Sequence, residues 1–386
     1  MIDKLINKLK TIKNGDFTPL HIPIFEGNEI EYVTDCIKSN FVSSVGEYVN
    51  RFEEAIAKFT GVKYAILTVN GTSALHISLL LAGVKRDDEV LMPAMTFIAT
   101  ANAVSYIGAI PHFIDVDENT LGIDANKLDS YLETICEIRD NECFNKHTNR
   151  KITAIVPMHT FGHSIDIDKL IEVANKYNIK KVEDAAESLG SFYKGVHTGN
   201  FGLLSAISFN GNKIITTGGG GCILTNDEEL AKKAKHITTT AKIPHPYEYV
   251  HDKIGYNYRM PALNAALGLA QIEKLPEFIE KKRELALYYK KLLSDIEEIE
   301  FFTEPEYAKS NYWLNAIILK EVNKELRDEI LKKTNENGIM TRPIWRLMHH
   351  LEMFKNCPKM DLSISESLEN RIINIPSTAN LLGAIK

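Results

Sequence analysis

The chain has 386 residues, a length that favours one large domain with a smaller one beside it. Hydrophobic residues make up 44% of the chain, and its 45 basic and 51 acidic residues give a net charge of −6, which argues against a nucleic-acid-binding surface. The sequence lacks an apolar run of about 18 residues, so no transmembrane helix is expected, and five scattered cysteines without CxxC spacing favour a reducing, cytoplasmic compartment.

The first predicted element is an amphipathic helix between Met1 and Asn14. Apolar residues recur there at helical spacing, with lysines between them. The apolar positions are Ile2, Leu5, Ile6, Leu9 and Ile12, and the lysines include Lys13. We expect this helix to pack on the body of the protein or on a partner subunit. A helix lying on a membrane surface is the alternative.

Short apolar segments rich in β-branched residues alternate with helix-period segments through the middle of the chain. The predicted strands are residues 64–69, 89–92, 110–115, 152–158, 180–183, 206–209 and 222–225. Predicted helices between them include residues 73–82, 96–108, 167–177 and 227–236. This alternation predicts an α/β layer with a mainly parallel sheet.

The pattern changes after Pro261. A long helix rich in Glu, Lys and Leu is predicted from Ala262 to about Ser294, followed by a strand at 312–319, a helix at 321–337 and a polar tail. We therefore predict three parts, which are an N-terminal lead-in of residues 1–50, a large domain of residues 51–260 and a small C-terminal domain of residues 261–386.

A helix start that suits a phosphate group follows the first predicted strand. Gly71 permits a tight turn, and Thr72 and Ser73 offer hydroxyl and backbone N–H groups where the helix begins. An ordinary N-cap gives the same pattern and is the commoner case. Phe97, at another strand-to-helix junction, offers an aromatic face, although a plain core position explains it equally well.

Two later strand ends carry a carboxylate and an amine. One strand runs into Asp184, and another ends in a loop that presents Ser208 and Lys213 before four glycines, which let the backbone pass close to a bulky group. Ligands of open α/β sheets bind at the carboxyl ends of the strands, where both groups can reach one pocket. Pyridoxal phosphate needs such a pair, because it forms a Schiff base with a lysine and its ring nitrogen requires an anion to stay protonated. A surface lysine in a turn and an aspartate capping a helix are the alternative.

These motifs together resemble the fold type I sugar aminotransferases of the DegT/StrS group over essentially the whole chain. The matching stretches are residues 70–75, 93–100, 182–190, 208–221 and 255–260, with Thr341-Arg342-Pro343 and the following His349. The resemblance implies an aspartate-aminotransferase-like fold, with a mainly parallel mixed sheet in the large domain and a small C-terminal α+β domain. It also implies pyridoxal 5'-phosphate as the cofactor and no metal site.

The resemblance assigns a role to each matching residue. It implies that Lys213 binds the cofactor covalently, that Asp184 is the anion for the ring nitrogen and that Phe97 stacks on the ring. It also implies that Glu187 lies next to the ring hydroxyl and that Gly71, Thr72 and Ser208 contact the phosphate. Asn257 is implied to reach the phosphate from the neighbouring subunit, so a homodimer with shared active sites is expected. Arg259, His349 and His159 are implied near the sugar or its phosphates, although such histidines are more often structural. Gly219 has no implied role, because the family's usual glutamate is absent there.

Three stretches, at residues 41–47, 310–315 and 341–350, together with the N-terminal helix, resemble one branch of the family. That branch contains the C4-aminotransferases of the legionaminic-acid and bacillosamine pathways. Those enzymes take glutamate as the amino donor and a nucleotide-linked 4-keto-6-deoxy-N-acetylhexosamine as the acceptor. We therefore expect an enzyme of bacterial surface amino-sugar biosynthesis. A perosamine-type synthase shares much of the pattern, and a 3-keto-sugar aminotransferase is a further alternative.

Three other kinds of protein fit parts of the pattern. Related sugar dehydratases carry histidine in place of the cofactor lysine, whereas Lys213 is present here. A non-catalytic regulator built on this fold needs a DNA-binding segment, and residues 1–50 are too short and too weakly basic to form one. A degenerate structural or sensory homologue is disfavoured, because the lysine, aspartate and phosphate motifs are all present.

Overall fold

The computed structural model describes residues 1–12 and 15–384, so Lys13 and Asn14 of the predicted N-terminal helix lie outside the described residues. The helices are α1 (Ile2–Lys10), α2 (Glu29–Lys38), α3 (Glu47–Thr60), α4 (Gly71–Leu81), α5 (Ile98–Tyr106), α6 (Ala125–Ile135), α7 (Ile167–Lys176), α8 (Glu228–Thr238), α9 (Ala262–Leu292), α10 (Lys324–Glu336) and α11 (Ser363–Glu369). The strands are β1 (Tyr64–Thr68), β2 (Glu89–Pro93), β3 (Ile110–Ile114), β4 (Cys136–Arg139), β5 (Glu142–Asn145), β6 (Ile152–Ile155), β7 (Lys180–Asp184), β8 (Phe192–Tyr193), β9 (Val196–His197), β10 (Leu204–Ser208), β11 (Gly221–Thr225), β12 (Lys242–Ile243), β13 (Val250–His251), β14 (Ile299–Phe301), β15 (Ala308–Lys309), β16 (Asn315–Leu319), β17 (Arg342–Pro343) and β18 (Ile372–Ile375).

Seven strands form one sheet in the order β1-β11-β10-β7-β6-β2-β3. Strands β10, β7, β6, β2 and β3 run parallel, and β11 is antiparallel to both of its neighbours. Every residue of β2, β6 and β11 is buried, as expected for strands covered on both faces. The predicted α/β class with a mainly parallel mixed sheet is confirmed. In the register of β7 with β10, Asp184 lies opposite Ala206, so both strands end at the same edge.

The N-terminal helix packs on the C-terminal part of the same chain. Leu5 and Leu9 are fully buried in a cluster with Leu285 and Tyr289. This apolar face is therefore covered by the protein and is not available to a membrane surface. No helix among residues 1–12 and 15–384 has both the length and the apolar composition of a membrane span.

The longest helix is α9, which has 31 residues and contains Pro276. It packs against α2 and α3, so the N-terminal segment lies on the helix that opens the predicted C-terminal domain. A boundary at residue 50 would cut α3 in two, whereas residue 260 falls just before α9 begins. The division into three parts remains a prediction.

A second sheet, with the order β14-β16-β18-β17, is antiparallel throughout. The expected polar tail is wrong for residues 363–375, which form α11 and β18. All four residues of β18 are buried, and the strand pairs with β16 and β17. The apolar Ile372, Ile373 and Ile375 were the sequence signal for this strand.

Candidate active site

A cavity of about 370 Å³ opens where β1, β7 and β10 end. All seven cofactor contacts predicted within one subunit line it, namely Gly71, Thr72, Phe97, Asp184, Glu187, Ser208 and Lys213. Asn70, Asn210, Asn212, Trp313 and Trp345 line it as well. The topology of the sheet therefore brings together residues as distant in the sequence as Gly71 and Lys213.

The start of α4 forms one end of this cavity. The side-chain oxygen of Asn70 accepts a hydrogen bond from the Ser73 N–H at 2.7 Å, so Asn70 is the N-cap and not Thr72 or Ser73. Thr72 is left on the cavity wall. The remaining N–H groups of the first turn and the helix dipole favour an anion at this position.

Two glycines allow backbone segments to meet at this end of the cavity. A Cβ on residue 71 would lie 2.9 Å from the Cβ of Ser208, so only glycine lets α4 start this close to the end of β10. A Cβ on residue 221 would lie 2.4 Å from the carbonyl carbon of Asn70. The glycine run was expected to let the backbone pass close to a bulky group. At Gly221, that group is the protein's own backbone. A Cβ on Gly219 would meet no atom within 4 Å.

Asp184 is a buried carboxylate at the end of β7, with 3% of its surface exposed. One oxygen accepts a hydrogen bond from the Thr100 hydroxyl at 2.6 Å, and the other accepts the Ala186 N–H at 3.2 Å. Burial raises the pKa of Asp184 in spite of these hydrogen bonds. A cationic group bound against this carboxylate would keep it ionised.

The Lys213 amine lies in the same cavity. Its Nζ is 3.2 Å from Oε1 of Glu187 and 3.9 Å from the centre of the Trp313 indole. The other oxygen of Glu187 accepts the Phe161 N–H at 2.9 Å, and Phe161 has a φ of 56°, which is uncommon for an aromatic residue. Burial raises the pKa of Glu187 to about 7. The amine is thus paired with a carboxyl group that exchanges a proton near neutral pH.

The raised pKa of Glu187 predicts a pH-dependent stability. The carboxyl titrates near 4.5 in an unfolded chain and at about 7 in the fold. Between these values the folded state binds the proton more tightly, so its contribution to stability is lost as the pH rises from about 5 to about 7. The urea midpoint of cofactor-free wild-type protein is expected to fall over this range relative to that of Glu187→Gln. Parallel pH dependences of the two midpoints would contradict this assignment.

Aromatic rings form the outer part of the cavity. Phe97 is 49% exposed, which rules out the plain core position considered for it. The ring of Trp345 lies between Phe97 and Phe161, with centroid distances of 6.3 and 5.4 Å. The chain has 2 tryptophans, and both line the cavity. The sequence motifs predicted no site role for Trp313 or Trp345, although both tryptophans lie in the stretches that resemble one branch of the family.

Three predicted contacts lie outside the cavity of their own subunit. Asn257 is exposed, and Arg259 borders a separate surface recess with Lys242 and His245. Nε2 of His349 lies 3.2 Å from a carboxylate oxygen of Glu366. A contact between these residues and a ligand therefore needs a partner subunit or a large substrate.

His159 lies in the protein interior. It is 0% exposed, and its Nε2 lies 3.0 Å from Oε2 of Glu183. Glu183 also accepts N–H groups from Gly199, Phe201 and Gly202, which makes the pair part of a buried junction. The expected substrate contact of His159 is corrected accordingly, because no atom of this histidine is exposed to a ligand.

The chemistry of the cavity matches pyridoxal 5'-phosphate. Its lining includes an anion-binding helix start, a buried carboxylate that forms no ion pair within residues 1–12 and 15–384, and an amine. A half-exposed phenyl ring provides a face for a flat heterocycle. These groups suit the phosphate, the ring nitrogen, the aldehyde carbon and the ring of the cofactor.

A mainly parallel α/β sheet with these groups at one edge is characteristic of a pyridoxal-phosphate-dependent transferase. Residues 23–384 match the DegT/DnrJ/EryC1/StrS aminotransferase family, and the chain belongs to that family. It is therefore a pyridoxal-phosphate-dependent sugar aminotransferase. The predictions of family, enzyme class and cofactor are confirmed.

The chain is similar to enzymes that make amino sugars. It is 38% identical over 365 residues to a GDP-perosamine synthase from Escherichia coli O157:H7, with 95% of this chain and 94% of that protein covered. It is 30% identical over 317 residues to the UDP-4-amino-4-deoxy-L-arabinose–oxoglutarate aminotransferase of Shewanella sediminis, with 79% and 76% covered. An aminotransferase of pseudoaminic acid biosynthesis from Helicobacter pylori has a similar structure, with a TM-score of 0.85, 25% identity, and 96% of this chain and 97% of that chain covered.

Proposed function

We propose that the protein transfers an amino group from glutamate to C4 of a nucleotide-linked 4-keto-6-deoxy sugar, in the biosynthesis of a bacterial surface amino sugar. The observation that carries the proposal is the part-buried Lys213 amine in one cavity with Asp184 and the start of α4. Membership of a sugar aminotransferase family supports the same reaction class.

Different walls of the cavity are proposed to bind different parts of the cofactor. Gly71, Thr72 and Ser208 would hold the phosphate at the helix start. Asp184 would pair with the ring nitrogen, and Phe97 would stack on the ring. When bound, pyridoxal phosphate supplies an electron sink that stabilises negative charge on the carbon beside the reacting nitrogen.

Gly71→Ala is expected to weaken the binding of pyridoxal phosphate about tenfold or more, because overpacking of this kind costs about 1–3 kcal/mol. The added Cβ would lie 2.9 Å from the Cβ of Ser208 and push the helix start away from β10. The dissociation constant is measured by absorbance titration of cofactor-free protein. Gly219→Ala is the matched control, since its Cβ meets no atom within 4 Å. Equal dissociation constants for the two variants would contradict the phosphate site.

Lys213 has two tasks in the proposed reaction. Its amine would hold the cofactor covalently between turnovers. Once free, the same amine would act as the base that takes the proton from the α-carbon of glutamate. In the second half of this ping-pong cycle, Lys213 delivers a proton to C4 of the sugar. Glu187 keeps the amine in place through its contact at 3.2 Å and would lie near the ring hydroxyl of the cofactor.

Asn257 is proposed to complete the site of a neighbouring subunit in a homodimer. Its exposure and its position outside its own cavity support this assignment. Arg259 and His349 are proposed to bind the nucleotide sugar and its phosphates. Mixed dimers of Lys213→Ala and Asn257→Ala subunits are expected to regain activity, because one of the two sites then has an intact Lys213 and an intact Asn257. No recovery on mixing, with dimers verified by mass, would contradict a shared site.

Two acceptor sugars are supported by different observations. The stretches at residues 41–47, 310–315 and 341–350 resemble enzymes that take an N-acetylated 4-keto-6-deoxy sugar. The similarity to a GDP-perosamine synthase over 95% of the chain favours a perosamine-type acceptor. The name of the Shewanella relative places its amino group at C4 and includes oxoglutarate, which supports both the C4 position and glutamate as the donor.

A panel of acceptors tests the proposal. Purified protein is incubated with glutamate and with UDP-, GDP- and dTDP-linked 4-keto-6-deoxy sugars, with and without a 2-acetamido group, and with a 3-keto sugar. The aminated product is identified by mass spectrometry and NMR. Amination of a 4-keto sugar is expected. Conversion of the 3-keto sugar alone would contradict the C4 assignment, and absence of any product from cofactor-loaded protein would favour a non-catalytic regulator.

A further inference from the structure

Lys282 is a fully buried lysine in the middle of α9. Its exposure is 0%, and no carboxylate among residues 1–12 and 15–384 pairs with it. Its Nζ donates instead to three backbone carbonyls, at 2.5 Å to Ser377, 3.1 Å to Trp313 and 3.5 Å to Tyr312. Burial lowers the pKa of Lys282 to about 7. These carbonyls are therefore the groups that offset the cost of placing a lysine in the interior.

The lysine supports a strained turn just before β16. Tyr312 has a φ of 47°, in the left-handed region that is unfavourable for an aromatic side chain. The side-chain oxygen of Asn311 accepts the Trp313 N–H at 2.8 Å across this turn. Removing the ammonium would leave the carbonyls of Tyr312 and Trp313 without their buried donor, which favours opening of the turn.

The indole of Trp313 extends from this turn to the cavity. Its Nε1 donates to the carbonyl of Asn212 at 2.7 Å, and the ring centre lies 3.9 Å from Nζ of Lys213. An indole face at this distance attracts an ammonium and keeps water from it. Asn212 thus fixes the indole ring through its Nε1, and Lys282 fixes the main chain that carries the ring.

We propose that Lys282 is a positioning residue for the active-site amine: it holds the main chain of Tyr312 and Trp313 so that the Trp313 indole covers Lys213. Lys282 does not line the cavity, so its effect on Lys213 passes through Trp313. The catalytic consequence rests on the function proposed for Lys213, whereas the geometric consequence for Trp313 does not.

The position of Trp313 is measured without cofactor or substrate. The chain has 2 tryptophans, so Trp345→Phe leaves Trp313 as the sole source of indole fluorescence. In this background, Lys282→Met is expected to raise the acrylamide quenching constant of Trp313 about twofold or more, because the turn opens. Lys281→Met is the matched control. The amine of Lys281 lies at the surface, 2.7 Å from Oε1 of Glu277, and its loss is expected to leave the quenching of Trp313 unchanged.

A double-mutant cycle measures the catalytic consequence. The rate of the glutamate half-reaction is followed by the absorbance change of the loaded enzyme, which requires no sugar. Lys282→Met is expected to lower this rate about tenfold in the otherwise wild-type enzyme. In the Trp313→Ala background, which lacks the ring through which Lys282 acts, the loss is expected to be less than about twofold. The Lys281→Met control is expected to leave both rates unchanged.

Unchanged quenching in Lys282→Met, or equal rate losses in the two backgrounds, would overturn the proposal. Lys282→Gln keeps two donor hydrogens and is expected to show intermediate quenching, which covers the case in which the methionine variant does not fold. Failure of both variants to fold would assign Lys282 to general stability and overturn the positioning role. Increased quenching together with an active Lys213→Ala enzyme would contradict the proposed function while leaving the control of Trp313 by Lys282 intact.

Discussion

Replacing Lys213 with alanine is expected to lower the rate of transamination about 10⁴-fold or more, because in the proposed reaction the covalent attachment and both proton transfers use the same amine. No other lysine lines the cavity in the described part of the chain. The side chain is 12% exposed and is held between Glu187 and Trp313, so water cannot take its place with the same geometry. The loss is therefore expected in both half-reactions.

The rates of Lys213→Ala are measured in single turnovers with glutamate, and again with the acceptor sugar and the aminated cofactor. Lys194→Ala is the control, since its amine is exposed at the surface and is paired with Asp168. The control is expected to retain wild-type rates. A Lys213→Ala enzyme that keeps more than about a tenth of the wild-type rate would exclude Lys213 as the proton carrier.

Asp184→Asn is the second substitution with a large expected effect, a loss of about 10³-fold in kcat. The amide keeps the shape of the side chain and can still accept the Thr100 hydroxyl, which lies at 2.6 Å in the wild type. In the proposed site it removes the negative charge that would keep the ring nitrogen of the cofactor protonated, and with it most of the electron-withdrawing power of the ring.

Thr100→Val separates charge from hydrogen bonding at Asp184. This substitution removes the hydroxyl donor but keeps the carboxylate, so a loss of only about tenfold is expected. The comparison uses kcat for the glutamate half-reaction and the absorbance spectrum of the loaded enzyme. A larger loss in Thr100→Val than in Asp184→Asn would show that the charge of Asp184 is not its main contribution.

The central sheet was predictable because buried parallel strands form continuous apolar runs that end in polar loops. The predicted segment 180–183 became Lys180–Asp184, and 222–225 became Gly221–Thr225. The hairpin of β4 and β5 was not predicted, since each of its strands has only 4 residues, too few to establish a periodic pattern. The short helix α11 was read as part of a polar tail, because seven residues give too little periodicity.

The cofactor wall of the site was predictable for a related reason. Asp184 and Ser208 are the last residues of their strands and the Gly71 turn comes shortly after another, so the topology of the sheet alone places them at one edge. Trp313 and Trp345 enter the cavity from loops after α9, and their positions depend on how the C-terminal segments pack on the sheet. No local pattern encodes that packing.

Lys282 shows the same limit most clearly. In the sequence it is one of several lysines in a helix rich in Glu and Lys, which is typical of a solvated surface. In the fold it is buried against carbonyls from two distant segments. The Asn70 cap was missed for a simpler reason, because Thr72 and Ser73 are equally good capping residues and only the backbone distinguishes them.

Reductive trapping of the cofactor tests the central claim most directly. The loaded enzyme is treated with borohydride, digested and mapped by mass spectrometry, with and without prior incubation with glutamate. The expected result is the reduced cofactor on the peptide that contains Lys213, and its loss from that peptide after glutamate has released the lysine. Label on a different lysine, or cofactor-loaded protein that shows no label on Lys213, would contradict the account.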